Sequence, residues 1–486
     1  AEDPATYAML QAADTVGTFQ VESRAQMTML PRLKPRCFYD LVIEVAIMRP
    51  GPIQGRMVHP YLRRRHGLEP ITYPHPSAVP VLERTCGVPL FQEQVMKLAV
   101  VAAGFTPGQA DQLRRAMGTW RSQGRLRALR QKLLEGMRAR GIAEEFAQRV
   151  VEQIEGFGDY GFPESHAASF AILAYVAAWL KRHHTAAFLC SLLNSQPMGF
   201  YDAHTLVRDA QAHGVEVRPV SVVHSEWGAT LEPASLAPIP RAHDLSFDVS
   251  TQARWALRLG LDRVRGLRRE AGDALLEART RRPFASLHDL LARAALPRDV
   301  PTRLAAAGAL NDLPDVSGRR FALWQVLGTQ RPKSGASLID DAPLFEPPVD
   351  LPRETCVEHV TADYDALGLS IDLHPLDPLR PALDRMGVVP AKALLRLPHG
   401  RRASVAGLVI VRQGPATAKG MKFITLEDET GTANLVITPL IYERFRPEIR
   451  GAAMLRAEGV VAKEGRVIHL MTMKVTALYL DDKELR

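Results

Sequence analysis

The pattern near the end of the chain constrains the fold most. Five segments there alternate between apolar and polar residues or run apolar with β-branched side chains, and Gly-Thr and Glu-Gly turns separate some of them. They are residues 402–412, 421–428, 433–437, 452–462 and 466–479. Residues 439–450, between the third and fourth segments, have a helical pattern. Five strands with a helix after the third are typical of an OB-fold barrel, a common platform for single-stranded nucleic acid.

The remaining sequence is mostly helical in pattern. Residues 1–196 show helical periodicity interrupted by proline-containing loops, and short helices return after residue 260. At 486 residues the chain is too long for one hydrophobic core. We therefore predict a multidomain, mainly α protein with an all-β barrel near its C-terminal end. The expected parts are a first helical region (1–196), a connector (197–259), a second helical region (260–330), a linker (331–400) and the barrel (401–486).

The charge balance indicates a polyanionic partner. The chain has 61 Lys and Arg against 53 Asp and Glu, with a pI near 9.4, which favours nucleic acid over a membrane surface. The longest apolar run, residues 167–180, is too short to span a bilayer, and the first residues lack a signal-peptide pattern. We expect a cytoplasmic protein without membrane contact. Because the first residue is not Met and a helical pattern is already present there, we expect the chain to lie inside a longer protein.

Basic residues are concentrated between residues 112 and 140. Nine Lys and Arg stand there against one carboxylate, Glu135. A solvated helix face normally mixes both signs. The excess therefore favours contact with DNA phosphates, through Arg121, Arg125 and Arg127, over a plain solvated face.

Two further features fit a phosphate-containing ligand, and the first of them fits a triphosphate. Arg114 and Arg115 follow a Gly-Phe-Thr-Pro-Gly turn, and guanidinium groups bind phosphate in a bidentate manner. Downstream, a glycine- and aromatic-rich loop leads into a long helix whose start would offer free N–H groups, with Ser165 and His166 as additional donors. The alternative is a capped core helix in which His166 only satisfies a backbone group.

The second helical region contains a candidate hairpin for a DNA phosphate. Residues 259–267, followed by a helix at 271–279, resemble a helix-hairpin-helix, in which a glycine turn grips the backbone without reading bases. Arg265 and Gly266 lie in this turn, and Arg268 stands where such hairpins carry a second glycine. The alternative is a plain helical hairpin that closes a small core. Residues 304–310 are a weaker candidate for the second hairpin of a tandem pair.

In the barrel, Arg412, Lys419 and Lys422 are candidates for phosphate contacts, and Phe423 is a candidate for stacking on a base. The alternative is that Phe423 points inward as barrel core, because strand alternation alone does not give the face.

Longer motifs carry a family resemblance. In the first helical region they are GTFQVESRAQMTMLPRLKP (17–35), MRPGPIQ (48–54), YPHPSAVPVLERTCGVPLFQEQVM (73–96), DQLRRAMG (111–118) and DYGFPESHAASF (159–170). In order and spacing they resemble the fingers of the bacterial C-family DNA polymerases. Residues 192–219 and 406–437 resemble the error-prone, damage-inducible branch of that family.

The resemblance implies a template-directed DNA polymerase that adds deoxynucleotides to a primer 3′ end during translesion synthesis. It implies that Arg114 and Arg115 neutralise the β and γ phosphates of the nucleotide, and that Ser165 and His166 help to place it. The implied partners are primer–template DNA, single-stranded template, dNTP, accessory mutagenesis proteins and, indirectly, the sliding clamp.

Two departures from the family pattern give further expectations. The catalytic palm, with the aspartates that hold Mg²⁺, would lie before Ala1, so we expect the metal ligands outside this chain and no polymerase activity from the chain alone. The sequence stops soon after the barrel, which favours the error-prone branch.

Residues 341–345 match a clamp-binding peptide only in their Leu-Phe ending, so we favour a linker anchor there. Two alternatives to an error-prone polymerase stay open: a replicative α subunit of the same family, and a non-catalytic DNA-binding factor.

Overall fold

The computed structural model describes most of the chain. The described residues are 2–48, 58–73, 75–117, 123–145, 147–148, 151–152, 162–198, 201–235, 254–329, 351–414, 418, 420–464 and 467–479. The chain forms two compact units, Ala1–Arg182 and His183–Arg486.

The first unit is built from helices, as the periodicity predicts. In its described residues the α-helices are α1 (Pro4–Gln11), α2 (Arg24–Leu33), α3 (Phe38–Ile47), α4 (Val58–Arg65), α5 (Val79–Leu82), α6 (Gln92–Ala103), α7 (Pro107–Met117), α8 (Gln123–Ala139) and α9 (Glu164–His183). Local chemistry sets some helix ends. The Asp3 carboxylate accepts a hydrogen bond from the Thr6 amide at 2.8 Å at the start of α1. Gly104 takes a left-handed conformation, with φ +72°, and ends α6.

Helix α6 packs against both α7 and α8. Leu98 and Ala102 of α6 are buried, as is Leu133 of α8. Gly136 permits the close approach of α8, because a Cβ atom built on it would lie 2.1 Å from the Ala103 carbonyl oxygen. This packing places the arginine-rich helix α8 beside the end of α6.

The second unit combines helices, a small sheet and a barrel. Its described helices before the barrel are α10 (Thr185–Asn194), α11 (Ala203–Ala212), α12 (Arg269–Arg281), α13 (Leu287–Arg293), α14 (Val300–Ala306), α15 (Arg319–Thr329), α16 (Cys356–Leu367) and α17 (Arg380–Arg385). The strands of the sheet are β1 (Val217–Arg218), β2 (Thr230–Pro233) and β3 (Trp255–Arg258). Strand β3 is central, parallel to β1 and antiparallel to β2.

Residues 351–400, predicted as part of a linker, contain α16 and α17 and contribute buried side chains such as Leu376. A buried ion pair joins Arg319 of α15 to Asp363 of α16. Ser370 also donates to the Asp363 carboxylate, at 2.7 Å. This part of the chain is therefore folded against the second helical region.

The predicted OB-fold barrel is confirmed. Its strands are β4 (Arg402–Gln413), β5 (Lys422–Asp428), β6 (Gly431–Ile437), β7 (Met454–Glu464) and β8 (Val467–Leu478), closed in the order β4-β5-β6-β8-β7. All neighbours are antiparallel except β6 and β8, which are parallel. Inward side chains such as Val405, Leu426 and Leu470 fill the core.

The segment after the third strand is two helices rather than the single helix predicted at 439–450. They are α18 (Pro439–Arg444) and α19 (Arg446–Gly451). Phe445 between them leaves the helical region, with φ −119° and ψ 29°. Pro447 explains the break, because it lacks an amide hydrogen and cannot bond to the carbonyl four residues before it.

Among the described helices, none has the length and apolar character needed to cross a membrane.

Candidate nucleotide-binding and nucleic-acid-binding sites

Three helix ends meet at the first turn of α6. The backbone amide of Gln92 donates to the Phe162 carbonyl at 3.1 Å, and its side-chain amide donates to the Arg114 carbonyl at 3.5 Å. The Glu164 amide, at the start of α9, donates to the Glu93 carboxylate at 2.9 Å. The last turn of α7 and the first turn of α9 therefore flank the start of α6. Those two turns carry the arginine pair and the Ser-His pair that the sequence indicates for a nucleotide.

The two arginines share one carboxylate. Arg114 and Arg115 lie 2.9 Å and 2.8 Å from the oxygens of Asp111 on the preceding turn of α7. The hydrogen bond from Arg114 and the charges of both arginines lower the pKa of Asp111. The arginine side chains stay 44% and 74% exposed. Asp111 thus holds two guanidinium groups side by side at the surface, where a polyphosphate can reach them.

The start of α9 is less open than the sequence suggests. The Glu93 carboxylate caps one of its amides, and Glu164, in the first turn, accepts a hydrogen bond from the Tyr39 hydroxyl at 2.7 Å. The Arg84 guanidinium lies 3.5 Å from the centre of the Tyr39 ring. Because two carboxylates already complement the helix dipole here, a bound anion would depend more on the arginines of α7 than on free amides.

Ser165 and His166 are exposed in the first turn of α9. The His166 ring lies edge-on to Phe162, at 5.2 Å between centroids, and to Phe170, at 4.4 Å. Phe170 in turn stacks on Phe19 at 5.4 Å. The sequence reasoning missed this row of rings, although the spacing of Phe162, His166 and Phe170 by four residues could have indicated it.

Most of the predicted phosphate contacts of the arginine-rich segment lie outside what the structure describes. Arg121 is outside the described residues, and for Arg125 and Arg127 only the helical backbone of α8 is described. Two other cations of this segment make contacts within the unit. Arg138 pairs with Glu144 at 2.5 Å, and Arg140 donates to the Val101 carbonyl at 2.6 Å. The DNA-binding role of the segment stays a prediction.

The glycine turn of the first hairpin is present. Gly266 has φ +76° and connects a 3₁₀ turn, Leu261–Arg263, to α12. Arg268 is the residue before α12 and has an extended backbone, and both it and Gly266 are exposed. The Arg265 amide is used inside the protein, since it donates to the Ala366 carbonyl at 2.9 Å. The hairpin thus offers the backbone around Gly266 and Arg268, but not the amide of Arg265, to an external phosphate.

Positive charge gathers at this hairpin. The Arg303 guanidinium of α14 donates to the Arg265 carbonyl at 3.3 Å and pairs with Asp299 at 2.9 Å. A Cβ atom on Gly266 would lie 2.2 Å from Arg303, so the glycine is required for this approach. Gly308, in the second candidate hairpin, also has a positive φ, of +70°. The glycine of the first hairpin and that of the candidate second hairpin therefore both have the backbone conformation that such turns need.

In the barrel, the predicted phosphate contacts have different environments. Arg412 donates to the carbonyls of Ile449 and Ala452 at the end of α19, and burial lowers its pKa. The Lys422 ammonium lies 5.2 Å from the centre of the Tyr442 ring. Lys419 is outside the described residues.

Phe423 does not belong to the barrel core. Its neighbours Ile424 and Leu426 are core residues, and side chains alternate along a strand. Phe423 therefore shares the outer face of β5 with Thr425 and Glu427, so the alternative that it points inward is wrong. It is partly buried there.

A buried polar cluster on this outer face was not anticipated. Glu427 Oε1 lies 3.0 Å from His204 Nε2 of α11, 3.6 Å from His374 Nε2 and 3.8 Å from Arg208 Nε. Burial alone would raise the pKa of Glu427, but hydrogen bonds and charges from His204 and His374 outweigh it and hold the pKa at about 2. A charged, buried carboxylate therefore ties the barrel to α11.

The spacing of His204, His374 and Glu427 would also suit a metal ion, but the hydrogen bonds fit a different arrangement. The Leu376 amide donates to His374 Nδ1 at 3.1 Å, which leaves the ring proton on Nε2, facing Glu427. The Tyr364 hydroxyl lies 3.0 Å from His204 Nδ1, so that ring can also direct an Nε2 proton at the carboxylate. In this arrangement His204 donates to Glu427 at 3.0 Å, and His374 directs its Nε2 hydrogen at the same oxygen from 3.6 Å, so neither Nε2 atom offers a lone pair to a metal ion.

Comparison with known proteins shows what the chain is similar to. Residues 1–141 match the bacterial DNA polymerase III alpha subunit finger domain, and residues 214–320 match a helix-hairpin-helix motif. The chain is 54% identical over 97% of its length to an error-prone DNA polymerase of Alkalilimnicola ehrlichii, covering 44% of that protein. It is 53% identical over 99% of its length to one from Anaeromyxobacter sp. (strain K) and 52% identical over 97% to one from Methylococcus capsulatus, covering 41% and 45% of them.

The chain thus spans less than half the length of these relatives. The matches nevertheless run along almost the whole chain, through both helical regions and through the barrel. The resemblance seen in the sequence motifs is confirmed: almost the whole chain is similar to part of the bacterial error-prone DNA polymerases.

Proposed function

We propose that this chain supplies the nucleotide-binding fingers and the DNA-holding region of an error-prone DNA polymerase that carries out translesion synthesis. The observation that carries the proposal is the exposed pair Arg114 and Arg115, held side by side by Asp111 next to the start of α9. The extended match to error-prone polymerases favours this function over a replicative subunit or a non-catalytic DNA-binding factor.

In this function the arginine pair takes the β and γ phosphates of the incoming dNTP. A triphosphate competes with Asp111 for the guanidinium groups and offers them more negative charge than one carboxylate does. Ser165 and His166, which are exposed in the first turn of α9, orient the nucleotide. The exposed turn at Gly266 and Arg268 contacts the backbone of primer–template DNA, without base reading.

DNA polymerases use divalent metal ions to align the primer hydroxyl and the α phosphate. The carboxylates beside the arginine pair do not fit that role. Asp111 pairs with two arginines, Glu93 accepts from a backbone amide, and Glu164 accepts from Tyr39. The proposed role of this chain is therefore to bind and position the nucleotide and the DNA. The ion expected is Mg²⁺, held by residues outside this chain, and the expected further partners are accessory mutagenesis proteins and, indirectly, the sliding clamp.

The test uses the gene product that contains this chain, in steady-state primer extension. Replacing Arg114 and Arg115 with Ala should raise the nucleotide KM or lower kcat, because each charge-assisted contact to a phosphate contributes about 1.5 to 3 kcal/mol. Affinity for primer–template DNA should stay the same. The matched control replaces Arg63 and Arg385, two exposed arginines that lie outside α7 and α9 in the sequence, and should leave both quantities unchanged. Equal losses of nucleotide and DNA affinity in the Arg114 and Arg115 variant would contradict the assignment.

A further inference from the structure

A groove runs across one side of the barrel. Its floor is the outer face of β4, β7 and β8, and its volume is about 730 Å³. Its walls come from residues 387–401, before β4, and from the junction of α18 and α19. The strands bring Ser404, Glu458 and Lys474 side by side across the floor, since Glu458 pairs with both others in the register.

The groove is strongly basic. Five cations line it against one carboxylate, Glu458: Arg401, Arg402, Arg444, Arg456 and Lys474. Arg456 lies 3.1 Å from Glu458 and donates to the Ser404 hydroxyl at 3.1 Å, so that carboxylate is already neutralised. The other four cations are exposed, and none forms an ion pair in the described residues. A surface left with four unneutralised cations favours an extended anion.

Apolar side chains lie among these cations. Phe445 is half-buried at the helix junction, and the Arg444 guanidinium is 5.3 Å from the centre of its ring. Met473 lines the groove and is 48% exposed. Phe445 also packs against the barrel core, so it offers only part of its ring to the groove. Cations beside accessible apolar groups suit a single nucleic-acid strand, which presents phosphates and unstacked bases together.

The face that OB folds commonly use is partly closed in this protein. That face is formed by the second and third strands, here β5 and β6. On the outer face of β5, Thr425 and Glu427 are buried, and His204 and His374 pack against Glu427. The groove on β4, β7 and β8 has no such cover in the described part of the chain, so a strand can reach its cations.

We propose that this groove binds the phosphate backbone of single-stranded DNA. The inference rests on the proposed DNA-binding function and assigns it a surface, distinct from Arg412, Lys422 and Phe423. In this arrangement Arg402, Arg444 and Lys474 neutralise successive phosphates, and Phe445 and Met473 contact bases or sugars.

The experiment measures binding of the 486-residue chain to a fluorescent thymidine 20-mer by anisotropy at several salt concentrations. The test variant is R402A/R444A/K474A, and the matched control is R63A/K97A/R385A, which removes two exposed arginines and one exposed lysine that are not among the residues lining the groove. Each lost contact to a single strand lowers the slope of log K against log salt by about 0.7. The test variant should lose about 2 in slope and about 100-fold in affinity at 0.1 M salt. A charge-conserving variant, R402K/R444K/K474R, should restore most of the slope.

The outcomes separate the groove from the wider function. If the unmodified chain binds with a salt slope and the test variant matches the control, the groove assignment is overturned while DNA binding stands. Failure of the unmodified chain to bind any DNA would overturn the proposed function and this inference with it. A loss confined to duplex DNA, or equally strong competition by an oligoglutamate peptide of the same charge, would also overturn the assignment to a single strand.

Discussion

Replacing Glu427 with Gln should strongly destabilise the second unit. The substitution keeps the shape of the side chain but removes the charge that His204, His374 and Arg208 surround. The site is closed to water, since these histidine side chains are 5% and 0% exposed and that of Glu427 is 8% exposed.

The magnitude follows from the pKa of Glu427. A pKa of about 2 in the folded chain, against an ordinary glutamate value of about 4.3, corresponds to about 3 kcal/mol of stability at pH 7. Because the folded pKa is the lower one, this contribution is present above the unfolded pKa and is lost as the pH falls toward 2. We expect it to shrink to about 2 kcal/mol at pH 3.5.

The assay is urea unfolding followed by circular dichroism and tryptophan fluorescence at both pH values. E427Q should lose about 3 kcal/mol at pH 7 and less at pH 3.5. The matched control is E443Q, because Glu443 is 67% exposed and 3.8 Å from Arg446, and a surface pair contributes about 0 to 1 kcal/mol. A loss in E427Q no larger than in E443Q, or one that does not change with pH, would refute the charged-carboxylate reasoning.

Three further substitutions test the burial of Glu44 and the packing at two helix glycines. Glu44 is fully buried and neither of its carboxylate oxygens has a hydrogen-bond partner in the described residues, so burial raises its pKa. The folded chain then binds the extra proton and loses stability as the pH rises, so E44Q should raise the urea midpoint more at pH 8 than at pH 5. Gly136 and Gly328 form a matched pair for thermal unfolding. G136A forces a Cβ atom against the Ala103 carbonyl and should lower the free energy of unfolding by about 1 to 3 kcal/mol. The Cβ atom of G328A meets no atom within 4 Å, so this substitution should stabilise α15 by about 0.5 to 1 kcal/mol. An unchanged melting temperature in G136A would mean that α8 can move away from α6 without cost.

The sequence predicted those features that depend on neighbouring residues. Alternation within each strand and turns between strands are local, so the five strands of the barrel could be identified in order. The glycine turn at Gly266 is likewise set by residues close in sequence. The break at Phe445 was missed, although Pro447 is a local signal for it.

Contacts between distant residues could not be predicted in this way. His204 and Glu427 are 223 positions apart, and the residues that flank each of them do not indicate a contact with the other. The Arg265 amide meets the Ala366 carbonyl, which changes what the hairpin can offer to DNA. The groove collects cations from four separate segments, and only the fold shows that the three strands and the helix before Phe445 bring them to one side.

The contacts of β5 also bear on how far the barrel can be treated as a transferable module. A cut at residue 401 would keep all five strands but remove His204 and His374 from Glu427, and it would also remove Arg380, which pairs with Glu429 at 2.6 Å. The Asp428 carboxylate would lose the Ala391 amide that donates to it at 2.6 Å. The excised barrel would thus expose three adjacent carboxylates that the longer chain neutralises or caps. Grafting this barrel onto another protein would require the segment from α11 to the first barrel strand, because the acidic end of β5 is completed by residues that precede the barrel.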